Sequence, residues 1–339
     1  MKMIPVTEAV GMVLCHDITK IVPGQFKGRA FKKGHTIDSE DIGELLKIGK
    51  EHIYVWEPKG DEIHENDAAK RLAQAACGKN LVLSEPSEGK VNLIAETTGV
   101  LKVNREVLNA VNSIDQVVFA SRHTNNLVFE GEVVAGTRVV PLVIEQQKIV
   151  QAEELMRTAE LVSVLPIQNY RVGLVTTGSE VFHKRIKDGF GPVVSKKFEE
   201  LGSTEIEQVF VPDDATKIKL AIERLIAKGA QIIAVTGGMS VDPDDVTPLG
   251  IRQTGAEIIS YGVPVLPGSM FLLAYRGEIP IVGLPGCIMY SKASVFDLVL
   301  PRILAGERLS KLDLIDLAHG GLCLQCPECR YPACAFGKV

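Results

Sequence analysis

The chain has 339 residues, 46% of them hydrophobic and 23% charged, enough for two buried cores, and its 37 Lys+Arg against 42 Asp+Glu give a formal net charge of -5. With no long basic run, nothing asks for nucleic acid as a partner. Thr7 and Glu8 interrupt the apolar start, and Asp297, Pro301 and Arg302 break the stretch ASVFDLVLPRILAG, so no membrane span is expected, the protein is placed in the cytoplasm, and its seven cysteines are not read as a disulfide framework.

Residues 1–150 read as a mixed α/β domain of short strands, hairpins and two helices. SEDIGELLKIGKEHIYVW predicts a capped helix with Ile42, Leu45 and Leu46 on one face and Gly49 as its stop, followed by a strand. NDAAKRLAQAACG is a second amphipathic helix. VNLIAETTGVLKV predicts a hairpin, and LVFEGEVVAGTRVVPLVI two more strands around Gly131 and Gly136. Residues 151–169 are expected to link this domain to the next, with a helix over about 151–166.

From Arg171 onward short apolar runs alternate with helical patterns, the signature of a parallel sheet covered on both faces, so a three-layer α/β domain is expected over 170–308. RVGLVTT is a strand ending at TTGSE. GPVVSKKFEELG then starts a helix at Pro192, repeats Val194, Phe198 and Leu201 on one face and stops at Gly202. EIEQVFVP is a strand leading into a helix that Asp213 or Asp214 can cap, with Ile218, Ile222 and Leu225 at helical spacing. QIIAVTGG is a third buried strand. GAEIISYGVPV and FLLAYRGEIPIVGLPG are further strands, the last two joined by a glycine-bearing turn, and a helix closes the domain from about Tyr290 to Gly306.

TTGSE, VPDD, TGGMS and GLPG therefore fall at strand ends, where ligands of open α/β sheets bind. In TGGMSVDPDDVTP, Gly237 and Gly238 let a backbone approach a ligand closely, Thr236 and Ser240 add hydroxyls, and Asp242, Asp244 and Asp245 are hard oxygen donors suited to Mg²⁺. The alternative is a solvated surface turn set by Asp and Pro; the neighbouring strand-end loops argue against it.

The series VTTGSE, VPDD, TGGMSVDPDDVTP, PGSMFLLAY and GLPG, over residues 170 to 306, resembles the molybdopterin-binding domain of molybdenum-cofactor biosynthesis, shared by molybdopterin adenylyltransferase and molybdopterin molybdenumtransferase. IPVTEAVGMVLCHDIT resembles the opening segment of the molybdenumtransferase branch, and the whole chain resembles compact molybdopterin-binding proteins of anaerobic bacteria. The resemblance implies that Thr177, Gly178, Ser179 and Glu180, with Gly237, Gly238, Ser240, Pro285 and Gly286, bind the pterin phosphate. It implies catalytic roles for Asp213 and Asp245, the latter on Mg²⁺. It implies a transferase acting on molybdopterin or its adenylylated form, with ATP and molybdate as possible co-substrates, in a homo-oligomer, a dimer or trimer.

The chain departs from that pattern in three places. Cys287 and Ile288 stand where the molybdenumtransferase branch reads GLPGNP, PGSM stands where a lysine-bearing PGKP is expected, and DGFG at 188–191 replaces an acidic residue and an asparagine. These departures put turnover in question, and a non-enzymatic carrier of the cofactor, or a redox or metal sensor, is the alternative. Cys287 reads as a small buried turn residue, and the seven histidines show no ligand spacing. In the tail, 309–339, Cys323, Cys326, Cys329 and Cys334 are spaced C-x2-C-x2-C-x4-C, so four soft thiolates can converge on Zn²⁺ or an iron–sulfur cluster; a metal-free redox tail is the other reading.

Overall fold

The computed structural model describes residues 2–22, 24–55 and 60–338, which fall into two compact units. The first holds residues 1–96, 103–122 and 131–163; the second holds 97–102, 123–130 and 164–339, so the division is not a single cut near residue 150.

In the first unit, strand Lys2–Pro5 pairs with His52–Val55, and the hairpin Ile18–Val22 with Phe26–Phe31, around a core of Ile4, Val6, Leu14, Ile18, Leu45 and Ile53. Helix Asp41–Lys47 supplies Leu45, and Gly49, at φ +78°, follows as its stop. Trp56, expected to end the strand after that helix, lies outside the described residues. A four-stranded antiparallel sheet orders Leu81–Leu83, Lys90–Ala95, Val133–Val139 and Val117–Ser121, and helix Glu65–Ala76 buries its Ala68, Leu72 and Ala76 face.

Four expectations for the chain up to residue 166 change. Lys90–Ala95 and Gly99–Val103 are not a hairpin but join different sheets. Gly99 explains the departure: a Cβ there would stand 2.2 Å from the Leu165 carbonyl oxygen, so the strand after the turn is packed tightly on residues far along the chain. Gly136 lies inside a strand rather than between two. A further helix, Arg105–Asn112, is set by Asn104, whose side chain accepts the Val107 N–H at 3.1 Å. The helix expected over 151–166 occupies Gln146–Thr158, and Val162–Pro166 after it is a strand.

The second unit is the three-layer α/β domain that the alternation predicts. Its six strands lie in the order Thr204–Val211, Arg171–Thr177, Ile232–Thr236, Ile279–Leu284, Leu272–Arg276 and Glu257–Tyr261, and only Leu272–Arg276 runs against the rest. The near-continuous apolar runs follow from burial on both faces. Val172, Leu174, Ile232 and Val282 pack on Phe198 of helix Gly191–Glu199 and on Phe296 and Val299 of helix Val295–Leu304. Val175, Ile233, Val235 and Ile281 pack on Ile218, Ile222 and Leu225 of helix Ala215–Ala227 and on Ile251 of helix Thr247–Gln253. Ser294 and Asp297 form a reciprocal capping box that starts the closing helix five residues later than its apolar pattern suggests.

Behind that helix the buried Arg302 is paired with Glu307 at 2.6 Å and Asp313 at 2.7 Å. Burial raises the Asp313 pKa, but bonds from Ser310 and Arg302 outweigh it and pull the carboxyl down to about 2 from the ordinary 3.8. The folded value lies below the unfolded one, so this stabilisation is complete above pH 3.8 and is lost as pH falls towards 2. Denaturant titrations of wild type and Asp313→Asn across that range should show a stability gap at neutral pH that closes in acid; a gap independent of pH would contradict the pairing.

Candidate functional site

Because five strands point the same way, the residues after Thr177, Val211, Thr236, Tyr261 and Leu284 meet along one edge of the sheet. A cavity of about 730 Å³ opens there. One wall is Gly237, Gly238, Met239, Ser240 and Asp245; another is Leu266 to Met270; a third is Leu284 to Cys287, with Phe190 and the exposed Tyr290 also in the lining. Its size falls within the range of about 300–1,000 Å³ usual for small-molecule sites.

The shape of the TGG turn depends on glycine and one threonine. Gly237 and Gly238 have φ of +86° and +58°, and a Cβ on Gly237 would stand 2.3 Å from the Thr177 carbonyl oxygen. Thr247, fully buried at the start of its helix, donates from Oγ1 to the Gly237 carbonyl at 2.8 Å and lies 3.3 Å from Thr177 Oγ1, while its N–H donates to the Gly238 carbonyl at 3.2 Å. The Thr of DVTP thus locks one strand-end loop to the next. Farther along, Asp245 Oδ2 accepts the Asp242 N–H at 3.0 Å, closing the acidic turn on itself. Tyr261 OH donates to the Met239 carbonyl at 3.0 Å, and burial, helped by the Asp245 charge, raises its pKa and keeps it a donor.

The expected site residues fall into two groups. Gly237, Gly238, Ser240, Asp245, Pro285 and Gly286 line the cavity together. Thr177, Gly178, Ser179, Glu180 and Asp213 form an adjoining group outside its lining: Asp213 Oδ2 accepts the Ser179 N–H at 2.9 Å, and a Cβ on Gly178 would meet Glu180 Oε1 at 2.9 Å. Asp214, not Asp213, caps the following helix through the Thr216 and Lys217 N–H groups at 2.9 and 3.1 Å. Asp188 of the DGFG segment instead tightens the turn before helix Gly191–Glu199, accepting from the Phe190 and Gly191 N–H groups. Cys287 does line the cavity, and burial raises its thiol pKa, so it stands there as a neutral thiol.

Sequence reasoning missed Met239, Gly268, Ser269, Tyr261 and Tyr290. PGSM carried a usable signal, since it lies at a strand start between two glycine-bearing loops; the tyrosines gave none. Among the described residues that line the cavity there is one carboxylate, Asp245, and no lysine or arginine, Ser269 occupying the segment where a lysine was expected. Nor are three His, Cys, Asp or Glu side chains placed together to hold a metal ion by themselves among the described residues. An anion bound here would rest on backbone N–H groups and hydroxyls, with its charge opposing Asp245 unless a cation lies between.

The contact at Gly237 gives a direct test of the turn. Gly237→Ala forces a positive φ on a side chain and a clash with Thr177, at a cost on the order of 1–3 kcal/mol. Thermal unfolding should show it destabilised while Gly255→Ala, also at positive φ but with nothing within 4 Å, loses less; equal losses would contradict the role given to the contact.

Residues 173–305 match the family model described as "Probable molybdopterin binding domain", and residues 3–57 match a "Domain of unknown function (DUF8806)". The chain is 26% identical over 158 residues to the molybdopterin molybdenumtransferase of Bacillus subtilis (strain 168), covering 44% of this chain and 34% of that protein. It is 24% identical over 95 residues to the molybdopterin adenylyltransferase of Pyrococcus furiosus, covering 28% and 56%, and 32% identical over 90 residues to a CinA-like protein of Mycobacterium sp. (strain MCS), covering 26% and 21%. The chain thus spans about a third, just over half and a fifth of these relatives. Among solved structures, the molybdopterin biosynthesis enzyme MoaB of Thermus thermophilus is similar over 41% of this chain and 98% of its own, at 22% identity and a TM-score of 0.33. The segment 173–305, whose rim carries the cavity, thus matches the family model of the probable molybdopterin binding domain, and the chain is similar there to proteins of molybdenum-cofactor biosynthesis.

Proposed function

We propose that the second unit binds molybdopterin, or its adenylylated form, in the rim cavity, with the terminal phosphate over Gly237, Gly238 and Ser240. The observation that carries this is the convergence on one cavity of the TGGMS, PGSM and GLPG segments, with Asp245 as the one carboxylate among its described lining residues. Mg²⁺ fits such a donor set: it demands octahedral oxygen ligands, keeps several waters, and is commonly held by one or two carboxylates plus substrate phosphates. Asp245 would hold the ion, which when bound would neutralise the phosphate and orient it. The chain's own part is then to fix the loop through Thr247, offer N–H groups from the TGG turn, and cover the apolar part of the ligand with Met239, Phe190 and Tyr290.

Two observations favour binding without turnover. Asp213, expected to act with Asp245, is engaged by the Ser179 N–H and does not line the cavity. The cavity also lacks a lysine or arginine among its described lining residues, so developing negative charge on a transferred group would have no fixed cation to receive it. A carrier of the pterin is therefore the second reading, and transfer chemistry with Mg-ATP or molybdate the first reading's further step.

Incubating anaerobically purified chain with molybdopterin and Mg-ATP, with and without molybdate, and weighing the bound pterin by mass spectrometry separates them. Unaltered bound pterin marks a carrier, an adenylylated or molybdenum-loaded product marks an enzyme, and absence of bound pterin contradicts both. Asp245→Asn should weaken magnesium-dependent pterin binding about tenfold or more, the order expected for losing a charged ligand to the ion. Affinity unchanged by the substitution or by chelation of Mg²⁺ would remove the ion from the site.

A further inference from the structure

The tail holds a second cavity, of about 350 Å³, with all four of its cysteines, Cys323, Cys326, Cys329 and Cys334, in the lining. We propose that these thiols seat a sulfide-bridged iron cluster, and that its seat forms part of the wall of the rim cavity.

The first support is the way the tail is held. Gly337 N–H donates to the Gly320 carbonyl at 3.0 Å, closing residues 320–337 into a loop whose two ends meet. The start of that loop is stitched to the PGSM segment, since Leu266 N–H donates to the Gly321 carbonyl and Cys323 N–H to the Leu266 carbonyl, both at 2.8 Å. Its far end is anchored by the buried Phe336 and by Tyr331, whose hydroxyl donates to the Asp297 carbonyl at 2.9 Å. The four thiols of residues 323–334 are thereby carried on one closed, anchored loop rather than on a free end.

The second support concerns what such a ring of thiols can hold. Among the described residues no three ligand-type side chains are placed to hold a single metal ion, yet the four sulfurs share one cavity. Within that lining Cys326 and Cys329 are exposed, and Cys323 and Cys334 half-buried. Three successive ligands at two-residue gaps also repeat the start of the bacterial cluster run, with the fourth set one residue farther on. The surroundings match the charge of four thiolates: Lys292 and Arg330 line the same cavity, and the Gln325 N–H donates to Cys323 Sγ at 3.5 Å, the kind of hydrogen bond that tunes cluster sulfurs. On assembly each thiol gives up its proton and its sulfur donates to iron.

Pro267, Tyr290, Leu322 and Gln325 line both cavities, so a cluster here would lie directly behind one wall of the rim site. The seat itself does not depend on what the rim cavity binds. Full-length chain, purified and kept anaerobic, is reconstituted with ferric iron, sulfide and dithiothreitol, the last supplying electrons, and then desalted. About four iron atoms and as many acid-labile sulfides per chain, with a broad visible absorption that dithionite bleaches, are expected. Cys326→Ser and Cys329→Ser should each lose most of that iron with an unchanged circular dichroism spectrum, while Cys77→Ser, in the other unit, keeps it. Stoichiometric zinc without sulfide, no retained iron in folded protein, or iron retained fully by both tail variants would each overturn the proposal.

Discussion

The hydroxyl of Thr247 is the constraint on which the rim depends. It is fully buried, it donates to the carbonyl of Gly237, and it touches the hydroxyl of Thr177 on the adjacent strand. Two successive left-handed glycines would otherwise leave the TGG turn free to adopt many shapes. With Thr247 in place the turn is fixed beside the ends of two parallel strands, and the helix that Thr247 begins packs through Ile251 on the sheet face that helix Ala215–Ala227 also covers. A loop that approaches a phosphate closely must have no side chains in the way, and a loop without side chains must be held from outside; one threonine meets the second requirement because the glycines meet the first.

That division of labour explains what was legible from residues alone. The apolar runs at 171–177, 232–236 and 279–284 announce strands buried on both faces, and the glycines after them announce the rim, because burial and positive φ are local demands with few residue solutions. The reversal of Leu272–Arg276 was visible only as a glycine turn. What stayed hidden was long-range: Tyr261 reaching the Met239 carbonyl, Tyr290 joining the cavity lining, and Asp213 turning to the Ser179 N–H while its neighbour Asp214 takes the cap. Adjacent identical residues cannot be assigned separate partners without knowing where the next loop lies. In the first half the same limit separated Lys90–Ala95 from Gly99–Val103, since a strand-turn-strand pattern does not say that the two strands pair.

Electrostatics sets this site apart from one built to grip phosphate with lysine. Backbone N–H groups and hydroxyls supply direction, and Asp245 supplies charge of the wrong sign for an anion. The arrangement is coherent if the ligand arrives with a divalent cation, whose hydration shell tolerates a single protein carboxylate. Under the proposed reading, removing the ion would convert an attraction into a repulsion at the same atoms. The neutral Cys287 thiol and the apolar Met239 and Phe190 complete a wall suited to the flat, partly apolar body of a pterin.

The most direct examination of the central claim is a crystal structure of the full chain grown anaerobically with molybdopterin and magnesium. The account predicts the phosphate over the Gly237 and Gly238 N–H groups, with a magnesium ion between it and Asp245 and the pterin ring against Met239 and Tyr290. A pterin bound elsewhere, or a rim cavity that stays without ligand at saturating concentration, would contradict it.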